Sequence, residues 1–186
     1  MIVRALLSGE QILDIRKGGI REDGRHFGVQ ATRFWLYPTL EHQRAELLKP
    51  AYRRWVSDDG EEPGIGDSVQ IDGWAEVVGT VTVTEPEELQ RLGSKLIWAE
   101  DYAASRLQWK RRDPLWVLAL RAHRVLEPAT LAVGDDFRGC TSWLDLDALG
   151  DPSTVPSEPA LSDESFDSRL KLIERELGRP FEPPVG

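Results

Sequence analysis

Alternating apolar and polar residues dominate the N-terminal part of the chain and predict short β-strands. Residues 2–7 and 11–17 are expected to form two strands joined by a Ser-Gly-Glu turn. The same alternation continues over residues 27–31 and 33–37. The chain is therefore predicted to begin as a β-sheet.

Two longer stretches predict the centre of that sheet. Residues 69–71 and 75–84 are expected as strands joined by an Asp-Gly dipeptide, which is typical of hairpins. Residues 115–126 are the most apolar run, and they predict a central strand that emerges at one end of the sheet. Its second half places Arg121 and His123 on one exposed side.

Helical spacing of apolar residues predicts helices between and after these strands. Thr39 is expected to cap a helix that Pro50 ends or kinks. Further helices are predicted after Pro86, over residues 98–109 and over residues 162–178. The last of them carries its apolar residues on one face: Phe166, Leu170, Ile173 and Leu177.

The domain organisation follows from length and from one biased segment. A chain of 186 residues is long enough for one domain with a proper core. Residues 151–161 are rich in Pro, Ser and acidic residues, which predicts a linker. We expect a single α+β domain over residues 1–150 and an appended helix over 162–178. That helix is expected to fold back, to be exchanged in a homodimer, or to dock on a partner protein.

Charge is distributed unevenly along the chain. The formal net charge of −9 argues against a protein that coats nucleic acid non-specifically, because such proteins need a basic face. Residues 1–56, however, contain ten Lys/Arg and six Asp/Glu, a net of +4, whereas residues 57–186 contain thirteen and twenty-six, a net of −13. A local basic surface on the N-terminal part is therefore compatible with global acidity.

The cysteine content and the hydropathy pattern indicate the cellular compartment of the protein. The single cysteine, Cys140, excludes an internal disulfide and a cysteine-rich zinc site, which fits a reducing compartment. No apolar run reaches the roughly 20 residues that span a bilayer. We expect a cytoplasmic protein without membrane contact.

Basic, aromatic and imidazole groups are concentrated between Arg16 and Arg44. A cationic hairpin, an aromatic strand and the first turn of a helix follow one another there, a combination that favours an anionic, planar ligand. If Phe34 and Leu36 face the core, the alternate rings on that strand are free to stack on bases. The candidate ligand-binding residues are Arg16, Lys17, Arg33, Trp35, Tyr37, His42, Gln43 and Arg44.

His42 is the candidate for catalysis, because an imidazole titrates near neutral pH and a helix N-terminus favours an anionic substrate. The three histidines are too scattered in sequence for a metal motif, and no phosphate-binding glycine loop is present. We expect neither a metal nor a cofactor.

Four segments form a distinctive set: Arg16-Lys17-Gly18-Gly19-Ile20, Arg33-Phe34 with Leu36-Tyr37-Pro38-Thr39, His42-Gln43, and Gly139-Cys140 with Ser142-Trp143. Together they resemble the signature of a bacterial family that is catalogued as a domain of unknown function. Its members are sometimes fused to Mrr-type restriction endonuclease domains, which implies a role in restriction–modification or phage defence. The order of strands and helices is also similar to that of PUA-like domains, including ASCH and EVE domains, which implies a β-barrel that binds RNA or modified bases.

The expected fold is therefore an α+β, PUA-like mixed β-barrel flanked by helices, with an appended C-terminal helix. The expected function is a nucleic-acid-binding or modified-base-sensing module in a restriction or defence system, with the choice between DNA, RNA and nucleotide left open. Two alternatives remain: a small nucleotide or phosphodiester hydrolase that uses His42, and an interaction scaffold that recruits a partner through residues 162–178.

Overall fold

The computed structural model describes residues 1–16, 32–38, 45–56, 67–108, 114–133 and 146–184. The helices are α1 (Ile2–Leu7), α2 (Pro86–Gly93), α3 (Glu100–Gln108) and α4 (Asp163–Leu177). The strands are β1 (Leu13–Arg16), β2 (Arg33–Trp35), β3 (Ser68–Val83), β4 (Leu115–Ala132) and β5 (Ser157–Pro159). Short 3-10 turns lie at Ala45–Leu47, Pro50–Trp55, Asp147–Leu149 and Pro152–Thr154.

The sheet is built on β3 and β4, which pair antiparallel along almost their whole length. The strand order is β1-β4-β3-β2, and β5 pairs with β4 farther along the edge that β1 occupies. Within the described residues β1 and β2 form the two outer edges and do not meet, so the sheet is open. The fold is mixed α/β, and the expected closed barrel is not found.

The N-terminal segment differs from the predicted β pattern. Residues 2–7, predicted as a strand, form helix α1 instead. Its apolar residues Ile2, Val3, Leu6 and Leu7 recur at the spacing of one helix face, and the last two are buried. A segment with this spacing buries more apolar surface as a helix than as a strand with alternate residues exposed. The hairpin predicted at residues 8–10 is therefore wrong.

The hairpin predicted at the Asp-Gly dipeptide is also wrong, because β3 runs through it as one strand of 16 residues. The register shifts between Ile71 and Gly73, so the dipeptide marks an irregularity in the ladder. A Cβ atom on Gly73 would lie 2.3 Å from the carbonyl oxygen of His123 and 2.5 Å from a methyl group of Leu7. Glycine is needed here for close packing and not for a turn.

Alternate residues of β4 point to opposite faces of the sheet and join two separate cores. Val117 and Ala119 belong to the larger core on the face covered by α2, α3 and α4, which we call face A. Leu118 and Leu120 belong to a smaller core against α1 on the other side, which we call face B. The long central strand predicted at residues 115–126 is confirmed and extends to Ala132.

The C-terminal helix folds back on the same chain. As predicted, Ser162 caps α4 by accepting a hydrogen bond from the Ser165 N–H, and Gly178 ends it in the left-handed conformation. Phe166, Ile173 and Leu177 are buried in the face A core, so they are not a free docking face in this structure.

One further segment differs from expectation, and one predicted helix is only partly described. The linker predicted at 151–161 contains the Pro152–Thr154 turn and strand β5, because its backbone pairs with β4. Pro50 opens the Pro50–Trp55 turn, and residues 39–44 of the helix predicted before it lie outside the described residues.

None of the helices in the described part of the chain is both long and apolar enough to cross a bilayer.

Candidate functional site

Three flat side chains form a row across face A. Trp35 of β2 is paired with Trp74 of β3, and Trp74 is paired with His123 of β4. Residues directly opposite each other in antiparallel strands point to the same side, so all three rings lie on one face. The row exists because the registers of three strands bring together residues from distant parts of the sequence.

The rings in this row are fixed by contacts on both sides. The Trp74 and His123 rings are stacked with centroids 3.9 Å apart and planes 4° apart. The Trp74 indole N–H donates to the Ser157 hydroxyl at 3.2 Å, and the Trp35 indole N–H donates to the Gly150 carbonyl at 3.0 Å. Trp74 is only 6% exposed, whereas Trp35 is half-buried, so Trp35 offers the accessible edge of the row.

A row of charged residues runs beside the rings. Arg33 is paired across the strands with Glu76, and Glu76 with Arg121. The Arg33 guanidinium donates to one Glu76 oxygen at 3.2 and 3.1 Å. We call the six residues of both rows the sheet-face cluster; they are Arg33, Trp35, Trp74, Glu76, Arg121 and His123.

Helix α4 closes one side of this cluster. The Arg121 guanidinium donates to Asp163 and, at 3.2 Å, to Asp167. It also lies over the Phe166 ring, 4.2 Å from the ring centroid. Only 19% of the Arg121 side chain is exposed, against 47% for Arg33. Arg121 therefore links helix α4 to the sheet, and Arg33 is the cation of this cluster that faces solvent.

The charges around the cluster nearly cancel. Two arginines, Arg33 and Arg121, face three carboxylates: Glu76, Asp163 and Asp167. A surface of this kind attracts a dianionic phosphate weakly. Flat rings beside a solvent-facing guanidinium favour a planar and weakly charged group instead.

His123 has an unusual environment for a polar group. Its Nε2 atom is buried, and no described residue forms a hydrogen bond with it. Such an atom costs about 1–3 kcal/mol, so it marks a site that packing alone does not explain. Burial, the main cause, lowers the pKa of His123 below its usual 6.5; Glu76 opposes that shift and Arg121 adds to it. The imidazole is therefore neutral at neutral pH.

The alternation predicted for the aromatic strand is confirmed. Phe34 and Leu36 pack in the face B core, and the side chains of Trp35 and Tyr37 lie on the other side. Both rings contact a small apolar group that includes Val69. Burial raises the pKa of Tyr37. The two rings are thus partly covered at their base.

Arg16 does not join the other predicted site residues. It lies on β1 opposite Trp116, on face B and at the other outer edge of the sheet from Arg33. Three strand spacings and about five residues of strand separate the two, roughly 20 Å. Arg16 instead pairs with Asp14, with 2.6 Å between Nε and Oδ2. The expected convergence of Arg16 with the aromatic strand is wrong.

Four predicted site residues lie outside the described residues: Lys17, His42, Gln43 and Arg44. Their roles, including catalysis by His42, stay predictions. The described residues contain no group of three or more His, Cys, Asp or Glu side chains placed to hold a metal ion.

Sequence reasoning missed Trp74 and the central position of His123. Trp74 directly follows the Asp-Gly dipeptide. The predicted hairpin leaves Trp74 outside both predicted strands, whereas in the structure it lies within β3. His123 carries a usable signal, since the alternation of residues 115–126 already places it beside Arg121 on one face. The partner strands of that face are not visible in the sequence.

Comparison with known proteins gives a family but no relative of known activity. The family described as Domain of unknown function (DUF1802) matches residues 1–171. No curated protein and no solved structure matches the chain.

Proposed function

We propose that this chain, which belongs to the DUF1802 family of unknown function, binds nucleic acid by stacking an unpaired base against the sheet-face cluster. The observation that carries the proposal is the row of Trp35, Trp74 and His123 on face A, in which Trp35 is the accessible ring, with the solvent-facing guanidinium of Arg33 beside it. Aromatic side chains on an antiparallel sheet are a common platform for bases in single-stranded regions.

The position of each group supports a base rather than a phosphate as the ligand. Trp35 is the accessible ring, and its indole N–H is already bonded to Gly150, which holds the ring in one orientation. Because Glu76 and the two α4 aspartates neutralise the arginines, electrostatic attraction contributes little. Stacking is therefore the main source of affinity, and it is worth about 1–3 kcal/mol per base.

The same chemistry suits a module that senses modified bases. An unpaired base on Trp35 presents its edge toward the charged row, where Arg33 is a hydrogen-bond donor. The resemblances to PUA-like domains and to a family found with Mrr-type nuclease domains favour this form of the proposal, in a restriction or defence setting. A preference for a 20-mer that contains 5-methylcytosine over one that contains cytosine would support it, and equal affinity for the two would contradict it.

The test of the proposal is the affinity for a fluorescein-labelled single-stranded dT 20-mer, measured by anisotropy. Replacing Trp35 by Leu removes the stacking ring, so we expect affinity to fall roughly 5- to 150-fold. Trp35→Phe keeps a ring and should retain most of the affinity. Trp116→Leu is the matched control, because Trp116 lies on face B.

Two results would contradict the proposal. One is that the wild-type chain binds no single-stranded oligonucleotide. The other is that Trp35→Leu and Trp116→Leu weaken binding equally, since a general loss of packing would then explain both.

A further inference from the structure

A second group of cations belongs to other elements than those that carry the sheet-face cluster. Arg4 of α1 and Arg53 and Arg54 of the Pro50–Trp55 turn are all exposed. Within the described residues none of the three forms an ion pair, although the chain has 32 acidic residues against 23 basic ones. We call these three residues with Trp55 the arginine surface.

Four other described arginines, Arg16, Arg33, Arg121 and Arg179, each pair with a carboxylate. Arg91 and Arg175 form no ion pair with a described residue either, so what distinguishes the arginine surface is that its unpaired cations accompany the Trp55 ring. In an acidic protein, several adjacent arginines without a described acidic partner keep their charge available for a ligand.

The Trp55 ring organises this surface. The Arg4 guanidinium lies over the ring, 4.8 Å from its centroid, and Tyr52 meets the same ring edge-on at 5.0 Å. Residues i and i+3 of a 3-10 turn eclipse each other, so Tyr52 and Trp55 share one side and Arg53 and Arg54 project from the others. Both rings pack on the face A core, which fixes the turn.

A guanidinium stacked on a ring keeps its in-plane N–H donors free, and those donors match the oxygens of a phosphate. The Arg4 guanidinium lies over the Trp55 ring. Arg53 donates its Nε–H to the Leu48 carbonyl at 3.2 Å, which orients its terminal amino groups. The nearby carboxylate of Glu10 accepts a hydrogen bond from the Tyr52 hydroxyl at 2.6 Å.

We propose that the arginine surface binds the phosphodiester backbone of a single-stranded nucleic acid. The inference rests on the proposed function for the identity of the ligand, and it adds a second surface with different chemistry. It makes the ligand a polynucleotide rather than a mononucleotide, because base and phosphate contacts then come from separate parts of the protein.

An anionic membrane is the other polyanion that unpaired arginines attract, and the structure favours it less. Apolar side chains that enter the bilayer strengthen peripheral membrane binding beyond what charge alone gives. The large apolar residues left exposed in the described part of the chain are Leu126 and Leu172, and neither belongs to the arginine surface. Trp55 is half-buried beneath Arg4.

The experiment compares two labelled strands of equal length, a dT 20-mer and an abasic deoxyribose-phosphate 20-mer, over a range of NaCl concentrations. The test variant is Arg4→Gln/Arg53→Gln/Arg54→Gln in the full chain. Each phosphate contact contributes about 0.7 to the slope of log affinity against log salt for single strands, so losing three should reduce that slope by about 2 on both strands. The matched control replaces three exposed cations elsewhere: Arg91, Lys171 and Arg175, each changed to Gln.

The two strands separate this inference from the proposed function. If base stacking is absent, the dT and abasic strands bind equally, while the arginine surface still gives the abasic strand its salt slope. If the arginine surface is not used, the test variant keeps the wild-type slope, or the control variant loses as much; either result overturns the inference. Binding to vesicles with 30% phosphatidylserine but to neither strand would assign the surface to lipid and overturn it too.

Circular dichroism must show that the test variant is folded. If it is not, Arg53→Gln/Arg54→Gln gives the same test with an expected slope change of about 1.4, because both side chains are exposed and leave the Arg4–Trp55 contact intact.

Discussion

The sheet-face cluster and the arginine surface use the same residue types in opposite ways. In the sheet-face cluster each arginine is matched by carboxylates, and the rings stack on one another or donate to backbone and hydroxyl groups. On the arginine surface the cations have no described acidic partner, and one of them covers the ring. Matched charges fix geometry and contribute little long-range attraction, whereas unmatched charges attract polyanions from a distance.

The two regions are expected to contribute differently, the sheet-face cluster to folding stability and the arginine surface to ligand binding. Arg121 links the sheet-face cluster to helix α4, and Trp74 is buried against His123, so changing these residues should cost folding free energy. The exposed arginines of the other surface make few internal contacts, so changing them should alter ligand binding and leave folding nearly unchanged.

The largest expected effect comes from Gly73, which packs directly behind His123. Gly73→Ala would place a Cβ atom 2.3 Å from the His123 carbonyl oxygen, and the ladder must shift to relieve that contact. We expect a loss of about 2–3 kcal/mol in the free energy of unfolding, measured with urea.

Gly93→Ala is the control for this prediction. Apart from its chain neighbours and the backbone of its own helix, no atom lies within 4 Å of a Cβ built at Gly93, at the end of α2. We expect it to be neutral or to stabilise the protein by up to about 1 kcal/mol. A Gly73→Ala variant as stable as wild type would show that the strand packing behind His123 is looser than described.

Two arginine substitutions test whether the sheet-face cluster contributes more to stability than the arginine surface does. Arg121→Ala removes contacts with Asp163, Asp167 and the Phe166 ring, so we expect a loss of about 1–2 kcal/mol in unfolding free energy. Arg54→Ala removes an exposed side chain and should stay within about 0.5 kcal/mol of wild type. Equal losses in urea unfolding would remove the distinction between the two regions.

A smaller effect concerns the charge of His123. Its pKa in the folded protein lies below the unfolded value of 6.5, so the unfolded chain binds a proton more readily. Stability should therefore fall as the pH drops below about 6.5 toward the folded pKa, and it should not change above that window on account of this group.

His123→Gln should flatten the pH dependence in that window, because the titrating group is gone. Proton NMR of the imidazole C–H signals measures the folded pKa directly, and Glu76→Gln should lower it further, since the Glu76 charge favours the protonated form. A His123 pKa at or above 6.5 would contradict the buried environment described here.

Local sequence predicted the elements whose pattern is strong and self-contained. The apolar run of β4 and the cap, face and terminal glycine of α4 all came out as expected. The hairpin predicted at the Asp-Gly dipeptide is wrong because Gly73 is needed for close packing against His123, a residue 50 positions away. Helix α1 was misassigned because a six-residue apolar segment fits both a strand and a helix until its packing partner is known.

Only part of the candidate site could be predicted from the sequence, for a related reason. Alternation placed Trp35 and Tyr37 on one side of the strand and Phe34 and Leu36 on the other, but which pair faces the face B core was known only from the structure. The meeting of Trp35, Trp74 and His123 depends on the register of three strands, which tertiary packing sets. The arginine surface was missed because its defining property is that its arginines form no ion pair with a described carboxylate, and only the folded structure shows which charges meet.

The indole N–H signals of the seven tryptophans in a two-dimensional NMR spectrum test the central claim most directly. On titration with the dT 20-mer we expect the Trp35 signal to shift and saturate, and on titration with the abasic 20-mer we expect it to stay in place. The Trp55 signal should move with both strands. A Trp35 signal that does not move while the dT 20-mer saturates the protein would show that the sheet-face cluster is not where bases bind.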